Sequence, residues 1–173
     1  MPSIRRLGTP SRSALRSVAL LAFCAVVLGA CGWRLQGSSK LSATLASTYI
    51  ETDDRYTSFN RALRDSLRAS GATLAGRPGG ATATVRILRD ESGQRVLSVS
   101  ARNTPEEYEV FYAIEYSVAN QTGELIPPQK LELTRDYSYD ETAVLAKQRE
   151  QAILREALAR DLAALVVRSL ASL

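Results

Sequence analysis

The sequence predicts an α/β (α+β) two-layer sandwich, a mixed and mostly antiparallel sheet of four or five strands covered on one face by two helices. Three observations predict it. Tyr108, Val110, Tyr112, Ile114, Tyr116 and Val118 alternate with Glu107, Glu109, Phe111, Ala113, Glu115 and Ser117, the period-two pattern of a strand with one apolar face. Lys130 to Tyr139 alternates again, with Leu131, Leu133, Tyr137 and Tyr139 on one side and Lys130, Glu132, Thr134 and Asp136 on the other. Two further segments, 57–70 and 140–173, repeat their apolar residues at helical spacing. A sheet with one apolar face needs cover, and two amphipathic helices supply it.

A targeting segment precedes this domain. Residues 1–17 carry Arg5, Arg6, Arg12 and Arg16 with no acidic residue, and run into apolar Val18 to Leu28. That is the order of a secretory signal. The apolar run has 11 residues, against the roughly 20 of a membrane-spanning helix, so it reads as a signal and not as an anchor. Leu28-Gly29-Ala30-Cys31 resembles the bacterial lipobox, which implies cleavage after Ala30 and a diacylglycerol on Cys31. An ordinary signal peptide with a fortuitous cysteine is the alternative. Gly32 stands where an Asp would mark inner-membrane retention, so the expected place is the outer membrane, lipid-anchored on the periplasmic side. Two or more acyl chains suffice for stable anchoring. The expected organisation is 1–30 cleaved signal, 31–46 lipidated N-terminus and tether, and 47–173 a single domain.

Removing residues 1–30 takes four of the 22 Lys+Arg and none of the 18 Asp+Glu, leaving 18 of each. The formal charge of +4 on the whole chain is therefore no argument for nucleic acid as a partner. Cys24 leaves with the signal and Cys31 is lipidated, so no disulfide forms within the domain. The chain has no histidine, which removes Ser-His-Asp and Cys-His catalysis and argues against zinc or haem. No metal or other cofactor is expected.

The elements follow in order. Leu45 to Glu51 reads as a first strand ending at the polar Thr52-Asp53-Asp54. Thr57 or Ser58 caps a helix through Ser70, with Phe59, Leu63 and Leu67 on its buried side and Gly71 as its C-terminal cap. Gly76 to Gly80 is a turn. Ala81 to Asp90 and Arg95 to Arg102 read as two strands joined at Glu91-Ser92-Gly93-Gln94, a connection of hairpin length with a glycine in it. The alternating strand at 108–118 comes next, then a turn over Asn120 to Pro128, then the strand Lys130 to Tyr139. Asp140 caps the last helix, Glu141 suits its dipole, and Ile153, Leu154, Ala157, Leu158, Leu162, Leu165 and Val166 form its apolar stripe.

Several residues combine into a family resemblance. They are Ala30-Cys31-Gly32-Trp33-Arg34-Leu35-Gln36-Gly37, the strand Tyr108 to Val118, the run Arg135-Asp136-Tyr137-Ser138-Tyr139-Asp140, and Leu145-Ala146-Lys147 with Glu150-Gln151. Together they resemble the LptE family of lipopolysaccharide (LPS) assembly lipoproteins. The resemblance implies a protein seated largely inside the lumen of the outer-membrane β-barrel LptD, helping that barrel assemble and helping LPS reach the outer leaflet. It implies two partners besides the membrane, LptD and LPS. In the family a basic residue on the strand corresponding to Lys130 to Tyr139 has been tied to LPS contact. Here Glu132 falls at that place, with Lys130 one step along the same face.

LPS carries phosphates and acyl chains, so a direct site calls for basic residues beside an apolar surface. The candidates are Arg86, Arg89, Arg95, Lys130 and Arg135, each with a solvated strand charge as its plain alternative. Arg135 leads because it stands on the otherwise apolar side of its strand; a structural pair with Asp136, Asp140 or a nearby Glu is the other reading. Tyr108, Tyr112 and Tyr116 suit a core face more simply than an aromatic groove. Glu107, Glu109 and Glu115 are candidates for hydrolase carboxylates only weakly, since a charged strand face is usually solvated or interfacial. The leading expectation is thus a non-enzymatic partner of the LPS-translocating barrel. An accessory lipoprotein of a phospholipid-transport ATPase system is the second reading, and a periplasmic hydrolase the third.

Overall fold

The computed structural model describes residues 41–173, the side chain of Glu141 excepted. The signal segment, Cys31 and tether residues 32–40 lie outside the described residues. The elements are β1 (Ser47–Glu51), α1 (Ser58–Ala69), β2 (Thr73–Leu74), β3 (Ala83–Val99), β4 (Pro105–Asn120), β5 (Gly123–Ser138) and α2 (Val144–Leu170). The sheet order is β2-β1-β3-β4-β5. β1 is parallel to β2 and β3, while β3, β4 and β5 form an antiparallel meander. The mixed five-stranded sheet with two helices is the predicted class.

Local chemistry sets the first half. The Thr57 hydroxyl accepts from the Asn60 amide at 3.1 Å and starts α1. Phe59, Leu63 and Leu67, one face of that helix, are fully buried. At its end the Gly71 amide donates to the Arg68 carbonyl and the Ala72 amide to the Leu67 carbonyl, both at 3.0 Å. This double closure needs a left-handed residue, and Gly71 has φ +91°. The core starts earlier than the predicted boundary at residue 47: Leu45, in a 3-10 turn over Ala43–Leu45, is fully buried and its carbonyl accepts from the Thr48 hydroxyl.

The predicted hairpin at Glu91-Ser92-Gly93-Gln94 is not there. Residues 83–99 form one strand of 17 residues, paired with β4 along its length. Gly93 serves close approach and not a turn: a Cβ on it would stand 2.8 Å from the Phe111 ring on β4. The turn expected over Asn120 to Pro128 is likewise shorter. The side-chain oxygen of Asn120 accepts from the amides of Thr122 and Gly123, and β5 is already paired at Gly123. Pro127 and Pro128 fall at a register shift in β5, an edge strand, where a missing N–H costs no ladder bond. The short parallel strand β2 had no alternation to reveal it. Five strands therefore result from one merger and one addition.

The faces of the sheet are unlike. β4 sends Val110, Tyr112, Ile114, Tyr116 and Val118 to the helices, all buried. From β3, Ala83, Val85 and Ile87 join them, and from β5 Ile126 and Tyr137. A bulge at Leu88 then changes the phase of β3, so Asp90, Ser92, Gln94 and Val96 take the helix face opposite Ile114, Tyr112, Val110 and Tyr108. Asp90 ties the layers together. Its carboxylate accepts from the Thr57 hydroxyl at 2.6 Å and from the Tyr112 hydroxyl at 2.8 Å, and the Tyr112 oxygen accepts from the Phe59 amide at 3.1 Å.

Asp140 caps a 3-10 turn over Glu141–Ala143 through the Thr142 amide, and α2 proper begins at Val144. From Leu158 onward α2 buries Leu158, Ala159, Leu162, Ala163, Val166, Val167 and Leu170 against α1 and the sheet. Its first part overhangs the core. Ile153, expected in the apolar stripe, is 64% exposed, because the stripe is continued by Ala159, Ala163 and Val167 on a face rotated from it.

Two outcomes follow from this packing. Leu162→Ala should lower the stability read from urea denaturation by about 2–5 kcal/mol, whereas Ile153→Ala should stay within about 0.5 kcal/mol; equal losses would show that the overhang is part of the core. Burial, and then the hydrogen bond to Asp90, push the Tyr112 phenol above its usual value of 10.0. A phenol that holds its proton more tightly when folded stabilises the fold below its unfolded value, and that contribution is lost as pH rises through the folded one. Tyr112→Phe should cost about 1–3 kcal/mol at neutral pH, and the gap to the unsubstituted protein should narrow above about pH 10 in denaturation series across pH; a widening gap would contradict the network.

Candidate functional site

The open face of the sheet, opposite the helices, brings four of the five candidate cations together. Strict alternation puts Arg86 and Arg89 on opposite faces. The bulge at Leu88 puts both on the open one, in line with Arg95. The register then sets Arg89 beside Glu115 and Lys130, and Arg95 beside Glu109 and Asp136, in rows across β3, β4 and β5.

Each cation on this face meets a carboxylate. Arg86 Nε donates to Glu51 at 2.9 Å, and Arg89 to Glu91 at 2.5 Å. Arg95 is held twice, by Glu109 and, at 2.9 Å, by Glu132, while its guanidinium lies 5.2 Å from the centre of the Phe111 ring. Lys130 has the longest pair, 3.8 Å to Glu115, and its side chain is 74% exposed. The hydrogen bonds to their carboxylates push Arg89 and Arg95 above their ordinary values, and Arg89 draws Glu91 below its own.

Five carboxylates take up these four cations, so the face is a charge lattice and not a positive patch. Glu107, the remaining member of the acidic row, accepts from the Ser98 hydroxyl at 2.7 Å. These partners were invisible from the sequence: Glu51, Glu109, Glu115 and Glu132 become partners only through strand register, and Glu91 because the strand runs on through the expected hairpin.

Arg135 is separated from the other four. It lies on the helix face between Leu133 and Tyr137, opposite Val110, and donates to Asp161 of α2 at 2.9 Å. Its partner is neither Asp136 nor Asp140 but a residue 26 positions away. With both side chains half exposed, this pair fastens α2 to the edge strand at modest strength. Beside it, Tyr137 stacks on Tyr108 at 5.8 Å and donates to Gln94 at 3.0 Å. Tyr112 and Tyr116 are core residues, as the strand periodicity indicated.

A second feature of the open face lies toward the start of β3. Beyond the Glu51–Arg86 pair the floor is made of Tyr49, Thr84 and Ala119 in one row, with Ser117 beside Arg86 in the next. The Pro78–Gly80 turn and the Asn120-Gln121 turn border it, forming a groove of about 610 Å³. Among the described residues no group of His, Cys, Asp or Glu is arranged to hold a metal ion, and no helix is long and apolar enough to cross a membrane.

Comparison with known proteins agrees with this architecture. The family model described as "LptE: Lipopolysaccharide-assembly" matches residues 45–170. The LPS-assembly lipoprotein LptE of Yersinia enterocolitica is 26% identical over 152 residues, covering 87% of this chain and 73% of the relative. That of Pectobacterium atrosepticum is 26% identical over 157 residues, covering 87% and 82%. The crystal structure of the rare lipoprotein B from Shewanella oneidensis superposes with a TM-score of 0.64 at 28% identity, covering 73% of this chain and 94% of that one. A lipoprotein B from Nitrosomonas europaea shares the fold, with a TM-score of 0.68 at 22% identity over 82% of this chain and 91% of its own.

Proposed function

The chain belongs to the LptE family of LPS-assembly proteins, and from that premise we propose that it is anchored in the outer membrane through a lipid on Cys31, on the periplasmic side. There it forms a complex with the LptD β-barrel, supports assembly of that barrel, and helps deliver LPS to the outer leaflet. The observation that carries this reading is the family match over residues 45–170, which spans both helices and all five strands.

The geometry supports it. A water-filled barrel lumen is lined by polar side chains, and a sheet face of interlocked charges meets such a wall without burying an unpaired ion. The reading is non-enzymatic: Glu109 and Glu115 are engaged by Arg95 and Lys130, and Glu107 by Ser98. The phospholipid-transport alternative has no observation in its favour.

Direct contact with LPS proceeds by exchange. A phosphate binds Arg86, Arg89, Arg95 or Lys130 by displacing a carboxylate, and the cation that gives up least goes first. Lys130, with the longest and most exposed pair on that face, is the leading contact, and doubly held Arg95 the last. Arg135 serves α2 before it serves a ligand.

After detergent extraction the mature protein should co-purify with a large β-barrel; recovery as a lone lipoprotein, with normal surface LPS after depletion, would overturn the proposal. Photocrosslinkers placed in cells at Lys130, Arg89, Phe111 and Arg135 should give LPS adducts at Lys130 in preference to Arg135. The opposite order would reassign the ligand contact to the helix face.

A further inference from the structure

We propose that the groove on the open face, between the Pro78–Gly80 turn and the Asn120-Gln121 turn, binds an uncharged sugar unit of a glycan. It deepens the LPS-assembly reading and rests on it only for the expected source of that glycan.

The groove differs in kind from the lattice beside it. Its single cation, Arg86, is matched by Glu51 at 2.9 Å, so a phosphate enters it only by displacing that carboxylate, whereas an uncharged ligand can use the pair as it stands. Its size, about 610 Å³, falls within the roughly 300–1,000 Å³ of small-molecule sites. The floor is kept low by short side chains at Thr84, Ser117 and Ala119, set side by side by the β1–β3–β4 register. Tyr49, half-buried at one end of its row, offers a ring face and a hydroxyl.

The polar groups suit a polyol. Arg86 uses Nε on Glu51, which leaves its two terminal nitrogens as paired donors and the second carboxylate oxygen of Glu51 as an adjacent acceptor. Neighbouring hydroxyls of a sugar each donate and accept, and a planar donor beside a planar acceptor meets both demands. Asn120 commits its side-chain oxygen to Thr122 and Gly123, so the group it presents is the amide nitrogen, a donor.

The border is fastened where binding requires it. The Ser47 hydroxyl donates to the Gly80 carbonyl at 2.9 Å, and Thr82 bonds the Ser47 backbone in both directions, at 2.9 and 3.1 Å. These bonds hold the Pro78–Gly80 turn against β1. A site whose walls are already in place loses little to ordering when it binds.

Two sources in the cell envelope share this chemistry, the saccharide portion of LPS and the glycan strand of peptidoglycan. The test is an amide NMR titration of the lipidated mature protein in detergent with three probes: dephosphorylated LPS core oligosaccharide, chitotriose and inorganic phosphate. Saturable shifts at Gly79, Thr84, Ser117 and Gln121 with either saccharide support the proposal, and the responding probe names the source. Ser117→Tyr, which raises the floor, should weaken that response by about tenfold or more. If Ser117→Tyr does not fold, Thr84→Val and Arg86→Gln supply the comparison and should each weaken it by about threefold or more. No shifts up to about 10 mM saccharide, shifts confined to other surfaces, equal shifts with inorganic phosphate, or an unchanged response in a folded variant would each overturn the glycan site. The titration uses the lipoprotein alone, so its outcome is independent of whether a barrel co-purifies.

Discussion

The pairing of β3 with β4, unbroken in direction from Ala83 opposite Asn120 to Val99 opposite Pro105, is the constraint on which the rest of the molecule depends. A strand presents alternate residues to opposite faces, so one register decides which side chains meet the helices and which meet solvent. Here the bulge at Leu88 resets that decision partway along β3. Before the bulge, Val85 and Ile87 enter the core and Arg86 faces out. After it, Asp90 turns inward to the start of α1, while Arg89 and Arg95 face out with Arg86. A strand without the bulge would send Arg89 and Arg95 toward the helices and leave the Tyr112 hydroxyl without its carboxylate. Both the helix anchor and the charge lattice rest on that one extra residue.

The legible parts of the fold are those set by local periodicity. The Phe59, Leu63 and Leu67 stripe, the Thr57 cap and Gly71 closure of α1, and the alternation of β4 are all visible within a window of a few residues, and each is where the sequence puts it. What failed depended on partners distant in the chain. Gly93 carries the ordinary mark of a turn, and only the Phe111 ring across the ladder shows that the missing side chain makes room for an aromatic. Pro127 and Pro128 likewise mark a loop until β5 is known to be an edge strand, where prolines are tolerated. The site follows the same rule. The cations could be named from composition and alternation, but Arg135 meets Asp161, and Arg95 meets Glu132, over separations of 26 and 37 residues.

The same register explains why the open face has no positive surplus though it is dense in charge. Across β3, β4 and β5, acidic residues stand in the rows next to or opposite basic ones, so ion pairs form without a positive surplus. Exposed pairs of this kind add little to folding stability. A matched set of charges does, however, reject partners that present the wrong pattern. On the proposal above, a polyanion such as LPS meets such a face only by exchanging carboxylate for phosphate, which favours transient contact over storage. Transience suits the delivery role proposed.

Packing is also distributed unevenly along the sheet. At the β1 end, β3 is flanked on both sides and α1 and the last part of α2 pack above it, burying Val85, Val118, Leu162 and Val166. Past Arg86 the register with β1 ends, the helix face of β3 carries Asp90, Ser92 and Gln94, and the overhang of α2 leaves Leu145 76% exposed. The charged rows therefore run past the reach of β1, and the groove lies at the end where β1 and β4 flank β3. A site whose walls are in place loses least to ordering when it binds, and the groove proposed above stands where both neighbours of β3 hold its floor.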